Sequence, residues 1–464
     1  MTKKRVDFVN FHKSTTIVSV PVLALILTVS LLAVVVMTRR PQTASGNKVS
    51  SGDRSGTLSP SDVSSAESEP LHVTSSATLS VTGDIIVHAP MLTAAYDKKT
   101  KTYDFTNYFP YLTPYVSASD YAVANLETTL RGTDGGDKYR GYPCFNTPDA
   151  IADALKQAGF DMLLTANNHT YDSGMQGLTR TLDVLNDKGF DHIGTFRKAG
   201  DKRYLVREVN GIHIGMTCYT YETSGKNSAK KSLNGIPLSA EAGALVDSFR
   251  YTKLDAFYDE LASRLAEMKN EGAEVNVLFI HWGTEYQLVP NQYQKKMAQA
   301  ICDMGFDVIV GGHPHVIQPA TLLTSKKDPA HKTFCLYSTG NAVSNQRKER
   351  STLKTGHTED GCLLQVTFRK YSDGRVVVAD TDLLPTWVNL RTDKKTGKKV
   401  YEILPLDKTK DWKKSFGVND STTYLMEKSY NRTVKLTGEG IGQAQQHYRT
   451  AAKEILSDSD HGKA

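Results

Sequence analysis

Cysteine is sparse and unpatterned in this chain. Its five cysteines (Cys144, Cys218, Cys302, Cys335 and Cys362) stand singly, and none forms a C-x-x-C pair. An odd, scattered set excludes a disulfide scaffold and a cysteine zinc site, and allows one or two bridges at most. Charge of one sign is also scarce. The net charge is +6 over 464 residues, and no basic stripe is interleaved with aromatics, so nothing points to a nucleic-acid partner. What remains is an ordinary globular balance, 39% hydrophobic and 23% charged, in a chain long enough for two or three domains.

The N-terminus is the exception. From Ser14 to Thr38 there is no charged residue, enough to cross a bilayer core of ~30 Å as a helix. Lys3, Lys4, Arg5 and Lys13 precede this run, and Arg39 and Arg40 follow it. The excess in front predicts residues 1–13 in the cytoplasm, 14–38 as a single-pass anchor in the cell membrane, and the rest outside. A cleaved signal peptide is the alternative, but the run is long for one and no small-x-small site follows closely. Residues 39–77 are rich in Ser, Gly, Thr and Pro and read as a flexible tether.

From residue 78 apolar runs alternate with helical patterns up to about 390. ATLSVTGDII, YAVANLETTL, FDMLLTANNH, EVNVLFIHWG, FDVIVGGHPH and TFCLYSTGN read as strands. TPDAIADALKQAG reads as a helix with Thr147 as N-cap, Pro148 in its first turn and Gly159 as its stop. SGMQGLTRTLDVLNDKG and NQYQKKMAQAICDMG also close on glycine. Asn210-Gly211 and Asp373-Gly374 mark two hairpins. Strands alternating with helices give a layered α/β domain. Residues 391–464 form a polar C-terminal extension, helical near its end.

Metal-competent side chains recur where the apolar strands end. Asp84 follows LSVTG, and Glu127 follows AVANL. Asn168 and His169 follow MLLTA, with Asp172 close behind. His281 follows VNVLFI, and His313 and His315 follow VIVGG. Ligand sites in α/β sheets gather at carboxyl ends of strands, so five segments would converge on one crevice. Taken singly, each has a structural reading: Asp84 a turn or cap, Asn168-His169 a local turn, His281 a satisfied polar group. In His313-Pro314-His315 the proline disfavours helix, and an extended chain would put both imidazoles on one face.

The set TGDIIVHAP, ANLETTL, TANNHTYDSG, FIHWGTEY, GGHPHVIQP and YSTGNAVSNQ resembles the CapA family of poly-γ-glutamate capsule biosynthesis proteins. That family is similar to the calcineurin-like metallophosphoesterases. The likeness implies a four-layer αββα fold over residues 78–390. It also implies Asp84, Glu127, Asn168, His281, His313 and His315 as metal ligands, with His169 as the catalytic acid oriented by Asp172. This sequence departs from the metallophosphoesterase pattern in two places. Ile86 stands where the first motif has histidine, with His88 two residues late, and Glu127 replaces an aspartate. One metal, two with altered geometry, or none remain open.

Oxygen and imidazole ligands suit Mn²⁺, Fe or Zn²⁺, for hydrolysis or transfer on a phosphoester or γ-glutamyl polymer. Glu285 and Asn341 are candidate substrate contacts. Glu285 could equally be a loop carboxylate, and Asn341 part of a Gly-Asn turn. The lysines at 394, 395, 398, 399, 408, 410, 413 and 414 offer a path for an anionic polymer such as poly-γ-glutamate, or a solvated face. Membrane subunits of a capsule synthase are the partners that the resemblance implies. A non-catalytic polymer-binding or scaffold role is the second reading, and a stand-alone nucleotidase is weaker because no separate nucleotide-binding domain follows.

Overall fold

The computed structural model describes residues 71–223, 230–349 and 354–461, with side chains described to 457. The anchor expected at 14–38 and most of the tether lie outside the described residues. Among the described residues no helix is long and apolar enough to cross a membrane.

Residues 68–464 form one compact unit built on two large sheets. In the first, β1 (Val73–Ile85), β2 (Tyr121–Leu126), β3 (Met162–Leu164) and β4 (Asp191–Ile193) run parallel. The second contains β5 (Leu205–Val209), β6 (Ile212–Tyr221), β7 (Ser248–Phe249), β8 (Val275–His281), β9 (Val308–Gly312), β10 (Ala320–Thr324) and β11 (Lys332–Leu336). The chain then returns to the first sheet as β12 (Asn341–Val343), β13 (Asp360–Tyr371), β14 (Val376–Thr392) and β15 (Lys399–Pro405). The orders are β15-β14-β13-β1-β2-β3-β4, with β12 beside the end of β1, and β7-β6-β8-β9-β11-β10, with β5 on β6.

Alternation along the strands sets the layers. Tyr121 and Val123 of β2 meet Val277 and Phe279 of β8 in a core shared by both sheets. Ala122, Ala124 and Leu126 point the other way. They pack on α1 (Ala89–Ala95) and α2 (Ala150–Gln157). Leu278, Ile280 and Ile309 cover the outer face of the second sheet with α4 (Leu254–Asn270) and α5 (Gln292–Met304). The succession is therefore helix, sheet, sheet, helix. Of the sequence-based elements, α5 ends on Gly305 at φ +98°, and Asn210-Gly211 turns with both φ positive.

Three boundaries differ from expectation. α2 begins at Ala150 rather than at Pro148, because the Thr147 hydroxyl pairs with that of Thr128 at 2.8 Å instead of capping a helix. β1 begins at Val73, inside the stretch read as tether, because a ladder to β13 completes its hydrogen bonds there. The chain beyond 391 supplies edge strand β15 and a long helix, α6 (Asp420–His461). Ile441, Ala444 and Tyr448 of α6 enter the core between the sheets. Between α2 and β4 lies α3 (Gly174–Asp187).

Candidate metal centre

The parallel strands of both sheets end on the same side, and their last residues meet. Gly83 and Gly311 permit the approach. A Cβ at Gly83 would lie 1.9 Å from the Gly340 oxygen, and one at Gly311 would lie 2.0 Å from the Tyr337 oxygen. Asp84 thus sits between Asn125 and Asn341 in register.

Asp84 is fully buried. It accepts the Asn125 amide at 2.7 Å on Oδ1 and faces His315 Nδ1 at 3.1 Å with Oδ2. Asn167 braces Asn125 from behind at 3.1 Å. Burial pushes the Asp84 carboxyl up, but the His315 hydrogen bond, attraction to His281 and His315, and the Asn125 amide hold it below its usual range.

Glu127 is also fully buried, and neither of its oxygens has a hydrogen-bond partner. Around its Oε1 stand His281 Nε2 at 3.5 Å, and His169 Nε2 and His315 Nε2 each at 3.9 Å. Among the described residues no lysine or arginine lies within ion-pair reach of it. Burial, then repulsion from Asp84 and Glu285, drives its pKa well above the ordinary carboxylate value.

His281 Nε2 meets Asn168 Oδ1 at 2.8 Å. His313 lies against the rings of Tyr221 (4.6 Å), His281 (5.0 Å) and His315 (5.9 Å), and its Nδ1 has no partner. Burial lowers the His281 pKa to about 3 and that of His313 well below the usual value. Both rings are therefore neutral at neutral pH; without an ion, His281 Nε2 donates its proton to the Asn168 carbonyl, whereas His313 Nδ1 is unengaged.

The His313-Pro314-His315 stretch is not extended as expected. His313 has φ +93° and His315 φ +55°, a left-handed backbone costing about 1–3 kcal/mol at each such residue. The bend is held by the Tyr286 N–H, which donates to the Pro314 carbonyl at 2.8 Å, and by the Asn341 amide, which donates to the His315 carbonyl at 3.2 Å.

His169 stands at the edge of the cluster. Its Nδ1 pairs with Asp172 at 2.7 Å, which turns Nε2 towards Glu127. Asp172 is itself fixed by the Phe145 N–H at 2.7 Å and the Asn234 amide at 3.0 Å. Glu285 is exposed, yet its carboxylate lies with the imidazoles of His313 and His315 as one potential ligand group. Asp84, Glu127 and His315 form a second. Asn341 is buried, with its amide nitrogen spent on His315, Gln346 and Thr358, so it braces the loop from behind. His88 reaches the same neighbourhood, but its Nδ1 accepts the Asn345 N–H at 3.2 Å. Burial lowers its pKa to about 4. The neutral ring then carries its proton on Nε2, so His88 offers no lone pair in place of the missing first-motif histidine.

Asn125, Asn234 and Phe145 did not stand out in the sequence, whereas Asn167 was met with Asn168 and His169 after MLLTA. Asn125 and Asn167 lay inside motifs already singled out, whereas Asn234-Gly235 looks like any turn.

A clustered donor set, orphaned carboxylate oxygens and neutral buried imidazoles fit a divalent cation. The comparisons agree with the ancestry of these motifs. The family model described as bacterial capsule synthesis protein PGA_cap matches residues 78–346. The PGA biosynthesis protein CapA of Bacillus subtilis is 30% identical over 307 residues, covering 66% of this chain and 71% of that protein. The capsule biosynthesis protein CapA of Bacillus anthracis is 28% identical over 298 residues, covering 63% and 64% respectively. A probable polyglutamine synthesis accessory protein of Mycobacterium tuberculosis is 24% identical over 215 residues, covering 45% and 53%. The fold and site define a layered α/β protein with a candidate metal centre between two sheets. The chain belongs to the PGA_cap family of capsule synthesis proteins, the CapA family.

Proposed function

We propose that this protein acts in the assembly or export of an anionic capsule polymer such as poly-γ-glutamate. In this reading it is anchored by residues 14–38, works outside the cell membrane beside the polymer synthase, and carries a metal-dependent hydrolase centre of calcineurin-like type. The observation that carries the proposal is Glu127, a buried carboxylate without a hydrogen bond, facing three imidazoles and, among the described residues, no cation. Asp84, Glu127 and His315 would hold a divalent ion on one side. Glu127, Asn168, His281 and His313 would hold one on the other, within reach of Glu285. A bound Mn²⁺, Fe or Zn²⁺ would supply Lewis acidity towards a phosphoryl or amide oxygen. His169, oriented by Asp172, presents Nε2 to the same space for proton transfer with a leaving group.

A second reading, a polymer-binding subunit without turnover, is favoured by the engaged Nδ1 of His88, which leaves one half of the centre short of an imidazole. Bound metal on the full chain, with hydrolysis of p-nitrophenyl phosphate, bis-p-nitrophenyl phosphate and poly-γ-glutamate, separates the two. Metal lost in His313→Ala, with turnover lost in both His313→Ala and His169→Ala, is the result expected of an enzyme. Metal without turnover favours the binding subunit. A folded protein that takes up no metal overturns the centre.

A further inference from the structure

A separate groove of about 1320 Å³ opens beside α1. Its walls are α1 and the turn after it, the segment 139–144, and the turn at 396–399. Its charged side chains are mostly cationic: Lys98, Lys99, Arg140, Lys398 and Lys399, against the single carboxylate of Asp97. Three of these cations are held in place, Lys399 by donating to Thr392 Oγ1 at 2.9 Å. Lys398 Nζ donates to the Tyr96 carbonyl at 2.9 Å, and Arg140 pairs with Asp137 at 2.6 Å while donating to Ser173 Oγ at 2.8 Å. Lys98 and Lys99 are exposed, and the charge of Lys99 acts on the Asp97 carboxylate.

The apolar wall combines Pro90, Leu92 and Pro143 with four tyrosines. Tyr96 and Tyr103 lie 5.1 Å apart, and Tyr139 stands edge-on to Tyr103 at 5.2 Å. Packed on one another, these rings offer edges and hydroxyls rather than free faces for a base to stack on. Tyr142 is 76% exposed on the rim. One end of the groove is next to the centre along the chain: Cys144 lines it, and the next residue, Phe145, packs on His169 with ring centroids 4.7 Å apart.

We infer that this groove binds an extended polycarboxylate chain with an aliphatic backbone, of the γ-linked glutamate type, and feeds it towards His169. The cations take successive carboxylates, and the tyrosine edges cover the methylenes between them. The inference rests on the polymer role proposed above for the same protein, but not on turnover.

The test is fluorescence anisotropy of a labelled γ-linked glutamate oligomer against the full chain, at low and high salt, beside polyphosphate of equal charge. The expected result is salt-sensitive binding of the oligomer, tighter than that of polyphosphate. Lys98→Glu with Lys99→Glu should weaken it about tenfold, and Tyr142→Ala roughly threefold. His313→Ala should bind the oligomer as the parent does while losing metal. Absence of binding, binding unchanged by the charge reversal, or polyphosphate bound as tightly as the oligomer each overturns the assignment. Metal content read on the same samples separates the two ideas. A parent protein that holds metal and turns over p-nitrophenyl phosphate but does not bind the oligomer sinks the groove alone. A metal-free parent whose oligomer binding needs Lys98 and Lys99 sinks the centre alone.

Discussion

Two buried carboxylates on opposite sides of the second sheet are treated in opposite ways. Asp247 meets Arg203 at 2.5 Å and Arg264 at 3.1 Å, so both of its oxygens are answered by guanidinium groups. Glu127 is as deeply buried, and among the described residues it is answered by imidazoles at 3.5 to 3.9 Å without a hydrogen bond. A buried anion costs several kcal/mol unless paired. The fold supplies the pairing where the carboxylate is structural, and withholds it where strand ends from both sheets converge. The missing charge at Glu127 is what a metal ion would bring.

The comparison can be broken most forcefully at Asp247. Asp247→Ala should leave Arg203 without its carboxylate and the nearly inaccessible Arg264 with only the longer pairs to Glu260 at 3.5 Å and Glu267 at 3.9 Å. A loss of about 3–5 kcal/mol in denaturant unfolding is expected. Glu127→Gln should do the reverse to the metal-free protein, raising its melting temperature, because an unpaired buried carboxyl is replaced by a neutral amide of the same shape.

Metal sharpens the contrast. At Mn²⁺ or Zn²⁺ about a hundredfold above the dissociation constant, thermal unfolding of the parent should shift by about 2.7 kcal/mol. Glu127→Gln and His313→Ala should show little or no shift.

Asn125→Ala tests the residues behind the centre. Asp84 would lose its 2.7 Å amide donor, costing about 1–3 kcal/mol of stability and roughly tenfold or more in metal affinity. The smallest effect lies at a third buried carboxylate, Asp360, which is satisfied by Arg432 and Ser429. Burial, and then the charge of Arg432, lower the nearby His357 to about 4. A histidine whose folded pKa lies below 6.5 contributes stability that is present above 6.5 and is lost as pH falls towards 4. The melting temperature should therefore be lower at pH 5 than at pH 7, with a smaller drop in His357→Asn.

Much of this was legible locally. The apolar runs ending at His281, and at Gly312 just before His313, have the length and β-branched content of buried strands, so polar residues at their ends stood out. Asn210-Gly211 and Gly305 announced their turns, because positive φ leaves little choice of residue. The failures were those of context. Thr147 looked like a helix cap until Thr128 occupied its hydroxyl. Asn341 was read as a candidate substrate contact or part of a Gly-Asn turn, and its amide also supports the His315 backbone, a role no local pattern showed. The His-Pro-His stretch was read as extended, and it bends because Tyr286 and Asn341 hold its carbonyls. None of these partners is near in sequence, so no local pattern could name them.

The sequence by itself determined which segments become strands, and which acids, amides and imidazoles stand at their ends, since periodicity and turn chemistry act over a few residues. Only the tertiary structure decided that those ends come from two sheets rather than one, and that Glu127 is left without a donor while Asp247 is given two. It also decided that tyrosines and lysines some 300 residues apart, Tyr96 and Lys398 among them, form one groove. Hydrogen bonding, burial and charge pairing between distant segments are settled only when the chain has closed on itself.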